Sequence, residues 1–426
     1  MKDSFVIKGN IIWSETNKEL KSVENGYLVI KEGIVEGVFS SIPDEYKSFE
    51  LIDAGNNLVV PGLVDLHVHA PQFAFRGTNM DLELMDWLNT YTFPEESKFS
   101  DLSYADKVYS YFTNAIKKSA TTRLVAFSSL HVEGTLLLMD KLERIGIRGY
   151  VGKVNMDRNS PDTLREESAE KAAENTEKWL EECEKRNYKY IKPILTPRFV
   201  PSCTDELMEK LSLIRKKWRL PVQSHLSENM GEVEFVKELA PWSKFYGDAY
   251  DRFGLFGGED GCIMAHCVLS GEEEIELMKK NGVFVAHCPE SNENIKSGIA
   301  PIRKYMEKGI NVGMGSDIAG GTTESIFDAI VDAVKVSKLY WRLVDDSVEP
   351  LSFSDAFYLA TKGGGAFFGK VGSFEKGYDG DLLILSDDEI PFPRYLTPTE
   401  RLERFAYLHG DKLGIRGKWV KGEKIL

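Results

Sequence analysis

The chain has 426 residues, 42% of them hydrophobic, and a formal net charge of -14 from 53 Lys plus Arg against 67 Asp plus Glu, so it can bury a large core in two or three domains. That charge repels phosphate backbones and sets polymeric nucleic acid aside as a partner, and no apolar run approaches the ~18 residues of a membrane span. The start, MKDSFVIKGNIIW, lacks the apolar segment of a signal peptide, and five scattered cysteines without a Cys-x-x-Cys pair read as reduced thiols, so a soluble, cytoplasmic protein with no membrane partner is expected.

SFVIKGNIIWS and GYLVIKEGIVEGVFS at the front read as strands and hairpins. Eight short apolar runs follow, separated by charged, helix-like segments: LVVPGLVDLHVH, TTRLVAFSSL, RGYVGKVNM, YIKPILTPRF, PVQSHLSE, GCIMAHC, GVFVAHCP and INVGMGSD. Of the segments between them, REESAEKAAENTEKWLEECEKRNYK reads as a helix with a solvated face, because Ala, Trp and Leu recur among its charges. Near-continuous apolar strands alternating with amphipathic helices predict a parallel sheet covered by helices, and eight of them predict an α/β fold with a closed, TIM-like (β/α)8 barrel. At the far end GDLLILS and RGKWVKGEKIL again read as strands, with no helix expected between them. The predicted organisation is a barrel over 61–370 and a small, discontinuous, β-sandwich-like domain built from both termini, 1–60 and 371–426.

A barrel of this kind carries its chemistry at the C-terminal ends of its strands. Five of the seven histidines, His67, His69, His225, His266 and His287, fall at or near such ends, together with Glu228 and Asp317. His67 and His69 stand two apart on one strand, so their side chains point the same way. With His225 and Asp317 they can hold a catalytic metal ion that keeps an open position for water. Asp317 can instead orient or deprotonate that water. Glu228, three residues after His225, would point away along a regular strand, but a turn at the strand's end would bring it back as a proton shuttle. His266 would hold the water and stabilise developing charge. His131 and Glu133 form a His-x-Glu, but the Pro-Cys-x-x-Cys that a zinc site of that type requires is absent, and Lys192 begins its strand rather than ending it, which favours one metal over two.

PGLVDLHVH, SHLSE, MAHC and GSDIAGG, in this order, resemble the mononuclear branch of the amidohydrolase superfamily. HAPQF, DWLNTYTFPEESKF, VGKVNMD, LTPRFVPSC, QSHLSENMGEVE and AHCPESN narrow the resemblance, over nearly the whole chain, to the guanine deaminase family. It implies a metal-dependent hydrolase barrel that converts guanine and water to xanthine and ammonia, as a homodimer. It also implies one zinc ion, with iron(II) as the alternative, on His67, His69, His225 and Asp317, and Glu228, His266 and Asp317 as catalytic groups. The base would lie among His69, Gln72, Arg198, Phe199, His225, Glu228 and Asp317. The chemistry agrees: Arg198 offers a rigid fork of donors for a carbonyl oxygen and a ring nitrogen, Phe199 a flat apolar face, and Gln72 both a donor and an acceptor. Glu290 departs from the smaller amide that the resemblance leads one to expect, and His287 reads as support for the site. The alternatives are a related aminohydrolase acting on another purine, a pterin or a triazine, and an inactive scaffold on the same barrel, whose signature of lost metal ligands is missing.

Overall fold

All seven residues of Leu63–His69 are buried, as are those of Thr121–Phe127, Val222–Leu226 and Cys262–His266, which is why these strands read as continuous apolar runs rather than as alternations. The computed structural model describes residues 3–392, 394–408, 410 and 414–426. The chain opens with β1 (Phe5–Ser14), β2 (Leu20–Lys31), β3 (Ile34–Phe39) and β4 (Glu50–Pro61). Next come β5 (Leu63–His69), β6 (Thr121–Phe127), β7 (Arg148–Gly152) with its continuation β8 (Val154–Asn155), and β9 (Ile191–Pro193) with β10 (Thr196–Pro197). They are followed by β11 (Val222–Leu226), β12 (Cys262–His266), β13 (Phe284–His287) and β14 (Asn311–Met314), and last by β15 (Leu382–Leu385), β16 (Ile415–Val420) and β17 (Glu423–Lys424).

β5, β6, β7 and β9 form one parallel run, and β11, β12, β13 and β14 another. Leu195 joins the two, its N–H donating to Pro221 O at 2.9 Å and its carbonyl accepting from Gln223 N–H at 3.0 Å. At the opposite seam Asp317 N–H donates to His67 O at 2.9 Å and His69 N–H to Ile318 O at 3.2 Å. The ring closes into the (β/α)8 barrel, and all eight predicted strands take part. Its helices start and stop on local signals. Ser168 caps Ala169–Arg186 by accepting from Lys171 N–H, and Asn187, in the left-handed conformation, ends it; Thr204 caps Asp205–Trp218 in the same way.

Val64, Leu66, Val125, Ile194, Ile263, Ala265 and Ala286 pack together as the apolar filling of the barrel. Val64 and Leu66 share one face of β5, so strict alternation would turn His67 and His69 outward. A bulge changes the parity. Asp65 pairs with Leu124 but Val68 with Ala126, which leaves one extra residue in β5 between them. Asp65 Oδ1 anchors the bulge by accepting from the N–H groups of His67 and Ser316, each at 3.1 Å.

β17, β16, β15, β4, β1, β2 and β3 lie side by side in that order as one sheet drawn from both ends of the chain, with its own apolar cluster of Phe5, Ile7, Leu28, Ile30, Val59, Leu382 and Trp419. One expectation is corrected here: the helix Pro398–Leu408 stands between β15 and β16. It buries Leu402 and Phe405, and the Phe405 ring meets Phe327 of the barrel helix Ile326–Leu343 at 5.3 Å. Its apolar spacing is present in PTERLERFAYL but diluted by charged neighbours. Among the described residues no helix is long and apolar enough to cross a membrane.

Candidate active site

The bulged end of β5 aims His67 and His69 at residues from three other strand ends. His69 Nε2 lies 3.1 Å from His225 Nε2, at the end of β11, and 3.5 Å from Asp317 Oδ1, just beyond β14. His67 Nε2 is 3.1 Å from Asp317 Oδ1, and the His67 ring sits 4.9 Å from those of both His69 and His225. From β12, His266 Nε2 faces Glu228 Oε2 at 3.4 Å and Asp317 Oδ2 at 3.7 Å. Ser227, His266 and Asp317 have φ values of 47°, 72° and 45°, so three strand ends turn through the left-handed region as they enter the site. The turn at Ser227 brings Glu228 back to the cluster.

All these groups are buried, and burial sorts their charge. It pushes the imidazoles of His69 and His225 well below their ordinary range, with the His67 imidazole adding to the effect, and brings His266 down to about 4. Burial alone would raise the Asp317 carboxyl, but His67, His266 and His69 around it hold it well below the usual carboxylate range. Glu228 goes the opposite way, pushed well above its ordinary value by burial and then by the charges of Glu232 and Asp317. His225 Nδ1 lies 2.6 Å from the carbonyl of Arg198, which can only accept, so the proton sits on Nδ1 and the Nε2 lone pair faces the cluster. His67 Nδ1 finds no hydrogen-bond partner, and Nε2 makes no hydrogen bond beyond its ion-pair contact with Asp317 Oδ1.

Imidazole nitrogens and a carboxylate converging at this range are groups that can hold a metal ion. The ligand atoms of His67, His69 and His225, and those of His67, His266 and Asp317, lie within 4.8 Å of one another. The four residues named from sequence therefore come together, and His266 is close enough to belong to the same group. His67 Nε2, crowded against Asp317, His69 and His225 without a hydrogen bond of its own to either imidazole, fits a cation at this position.

Beside the cluster lies a cavity lined by His69, His225, Glu228, His266 and Asp317 and also by Gln72, Arg198 and Phe199. Gln72 sits on the helical turn after β5, and its Oε1 accepts from Ala319 N–H at 2.8 Å. Arg198 and Phe199 follow β10 directly. Gly320 lines the cavity where a Cβ would fall 2.2 Å from Ser291 Oγ, so any side chain there would have to displace Ser291.

Several residues here were not picked out from sequence. Leu84, Trp87, Leu88 and Ile295 complete the apolar wall. Glu96 bonds both Gln72 and Arg198, so the arginine does not face the cavity with all its donors free. Asn292 Oδ1 meets His266 Nδ1 at 2.9 Å. AHCPESN and TFPEESKF contain Asn292 and Glu96, but a buried acid pairing across 102 positions leaves no periodic trace. His131 lies outside both groups of converging donors, beginning the helix Val132–Ile145, and Lys192 is exposed. His287 is buried without a hydrogen-bond partner on either ring nitrogen, and burial brings it down to about 3. Glu290 accepts from Thr322 N–H at 3.0 Å and from the Thr322 hydroxyl, tying down the loop after Asp317.

Residues 58–422 match the Amidohydrolase family. The chain is 36% identical to a guanine deaminase of Dictyostelium discoideum, over 99% of this chain and 98% of that one. It is 38% identical to the guanine deaminase of Rattus norvegicus, over 86% and 82% of the two chains. A crystal structure of a guanine deaminase from C. acetobutylicum, with guanine bound in its active site, superposes with a TM-score of 0.96 at 47% identity, covering 99% of this chain and 100% of that one. The closed barrel, its cluster of histidines and aspartate, and likeness from end to end agree on one conclusion: the chain belongs to the amidohydrolase family.

Proposed function

We propose that this protein hydrolyses guanine and water to xanthine and ammonia, with zinc, or alternatively iron(II), held by His67, His69, His225 and Asp317. What carries the reading is that Arg198, Gln72, Phe199 and Glu228 line one cavity with His69, His225 and Asp317, in a chain alike over nearly its full length to several guanine deaminases. The bound ion supplies Lewis-acid activation of water.

The protein's own groups do the rest. Arg198 keeps N–H donors beyond the one bonded to Glu96 and holds the purine carbonyl; Gln72 reads the neighbouring polar edge, and Phe199 supports the ring. Leu84, Trp87 and Leu88 exclude solvent from the other side. The Glu228 carboxyl, kept neutral by burial, gives its proton to the ring nitrogen beside the carbon that takes up the water oxygen. As a carboxylate it then takes a proton from the added water and passes it to the departing amine, which leaves as ammonia; the second proton of that water returns to Glu228 as the new C–O bond becomes the carbonyl of xanthine. His266 and Asp317 orient the water and stabilise the charge that develops.

A homodimer in the cytoplasm belongs to the same proposal, supported by the exposed Leu339, Trp341 and Leu343 on one helix and by five buried cysteines that are all free thiols. So does the division into a barrel over 61–370 and a terminal unit of 1–60 with 371–426, supported by the separate apolar cluster of the terminal sheet. The test is ammonia release from guanine, adenine, cytosine, a pterin and a triazine, with elemental analysis of the same sample. Guanine is expected to give the highest kcat/KM, with about one metal ion per chain. A higher value for any other amine would assign the site to a related aminohydrolase, and metal-loaded protein inert on all five would remove the reading.

A further inference from the structure

Glu96 sits on the short helix Phe93–Ser97 and is 1% exposed. Its two carboxylate oxygens serve two different cavity residues. Oε1 accepts from Gln72 Nε2 at 2.9 Å, and Oε2 accepts from Arg198 Nη1 at 2.5 Å. Gln72 is held from its other end as well, by the N–H of Ala319 on Oε1. A carboxylate only accepts and a backbone N–H only donates, so turning the Gln72 amide over would break both bonds and oppose like partners. Arg198 has one terminal nitrogen committed to Glu96, while the Phe93 ring, 5.1 Å from the guanidinium carbon, limits its remaining freedom. Glu96 does not itself line the cavity.

We propose that Glu96 is a positioning residue that sets substrate specificity: by clamping Gln72 and Arg198 together it decides which donors and acceptors the pocket presents to the purine. This rests on the guanine reading above. A carboxylate behind the guanidinium neutralises a buried cation without covering the edge that faces the cavity, and it holds that edge rigid. Rigid, desolvated donors discriminate between a base that carries a carbonyl oxygen and one that lacks it, because the wrong base leaves them unpaired. Guanine and 2-aminopurine are such a pair: the same amine leaves from both, and only guanine carries the oxygen.

The experiment measures kcat and KM for both bases in wild type, Glu96→Gln, Arg198→Met and the double variant, each with its metal content and Tm, and the Kd for xanthine as a readout that needs no turnover. In Glu96→Gln the KM for guanine and the Kd for xanthine are expected to rise about 10- to 100-fold, the worth of a charge-assisted hydrogen bond, with a smaller change in kcat. The kcat/KM ratio of guanine to 2-aminopurine should fall by a similar factor. In the Arg198→Met background the same substitution should change the xanthine Kd by a clearly smaller factor than in wild type, since only the Gln72 contact is left to lose and residues that act through one another are not additive. An unchanged ratio and Kd in Glu96→Gln overturns the proposal, as does an equal loss with and without Arg198. So does a parallel loss for both bases that tracks metal content or Tm, which is what a merely structural role would give. If Glu96→Gln does not fold, Glu96→Asp decides: it keeps the charge but cannot reach both partners, so its ratio should fall below that of wild type, and a wild-type ratio sinks the idea. A wild-type protein that releases no ammonia from guanine fails the functional reading first, and this proposal with it.

Discussion

Ser227 turns the chain at a φ of 47°, and that one residue brings Glu228 from the outward face of β11 to within 3.4 Å of His266 Nε2. The sequence makes a turn there plausible, because PVQSHLSE runs out of apolar residues, but not its hand. His67 and His69 were legible as a pair from strand periodicity, although the bulge that points them inward was not: it depends on the register with β6 and on Asp65, whose partner Ser316 is 251 positions away. Glu228 bears a specific expectation. Burial and the neighbouring carboxylates keep its proton on above the ordinary carboxylate range, so it enters the reaction as an acid. Glu228→Gln preserves shape and cannot release or accept that proton. It is expected to keep the metal while kcat falls about 100- to 10,000-fold, the usual worth of general acid and base catalysis, or further because the group acts twice. Elemental analysis beside steady-state ammonia release checks this; a loss under about tenfold would mean that another group moves the protons.

The helix Met230–Leu239 follows β11 after Ser227 and Glu228, and its Glu232 underpins that turn. Glu232 Oε2 accepts from Glu228 N–H at 3.0 Å and Oε1 from Tyr246 OH at 2.6 Å. Burial raises this carboxyl to about 7 in spite of those bonds, which favour the charged form. Between its ordinary value of 4.5 and about 7, the folded protein keeps a proton that the unfolded chain has released. The stability this contributes is complete below the unfolded value and is lost as pH rises through the folded one. Glu232→Gln removes the titration, so the Tm of the variant relative to wild type should climb from about pH 5 to about pH 8. Calorimetry at matched scan rates reads the difference, and a flat or falling one would show that Glu232 does not hold the extra proton. None of this support was visible in QSHLSENMGEVE, where Glu232 looks like any acid in the first turn of a helix. Elements were legible where burial on both faces writes a continuous apolar run, as in β6 and β12. They were lost where one partly buried face carries the signal among charges, as in Pro398–Leu408.

The barrel and the sheet built from both termini meet, among other contacts, through a buried ion cluster centred on one strand residue. Arg123 on β6 donates through Nε to Asp381 Oδ2 at 2.6 Å and through Nη2 to Asp381 Oδ1 at 3.0 Å and Asp379 Oδ2 at 2.8 Å. Asp381 directly precedes β15 and also accepts the backbone N–H of Lys421, so β6, β15 and the β16–β17 hairpin converge on one carboxylate. Both ends of the chain read as strands, so one sheet from both termini could be foreseen; its tie to the barrel rests on residues 258 positions apart that no local pattern links. A buried pair of this kind is weak evidence for net stabilisation, but removing one partner leaves a charge with nowhere to go. Arg123→Met is therefore expected to destabilise the fold by about 3 to 5 kcal/mol, lowering Tm by roughly 3 to 6 °C in a chain of this length. Adding Asp381→Asn, which neutralises the stranded carboxyl yet keeps an acceptor for Lys421, should recover much of that loss. Arg123 lies four residues, or about 13 Å, before Phe127, whose ring meets His67 at 5.0 Å, so the damage is remote from the chemistry. At low temperature kcat/KM should stay within about threefold of wild type in both variants. Thermal melts and steady-state kinetics on the two proteins read this directly. A single variant as stable as wild type, or a double variant less stable than the single one, would show that the cluster does not hold sheet and barrel together.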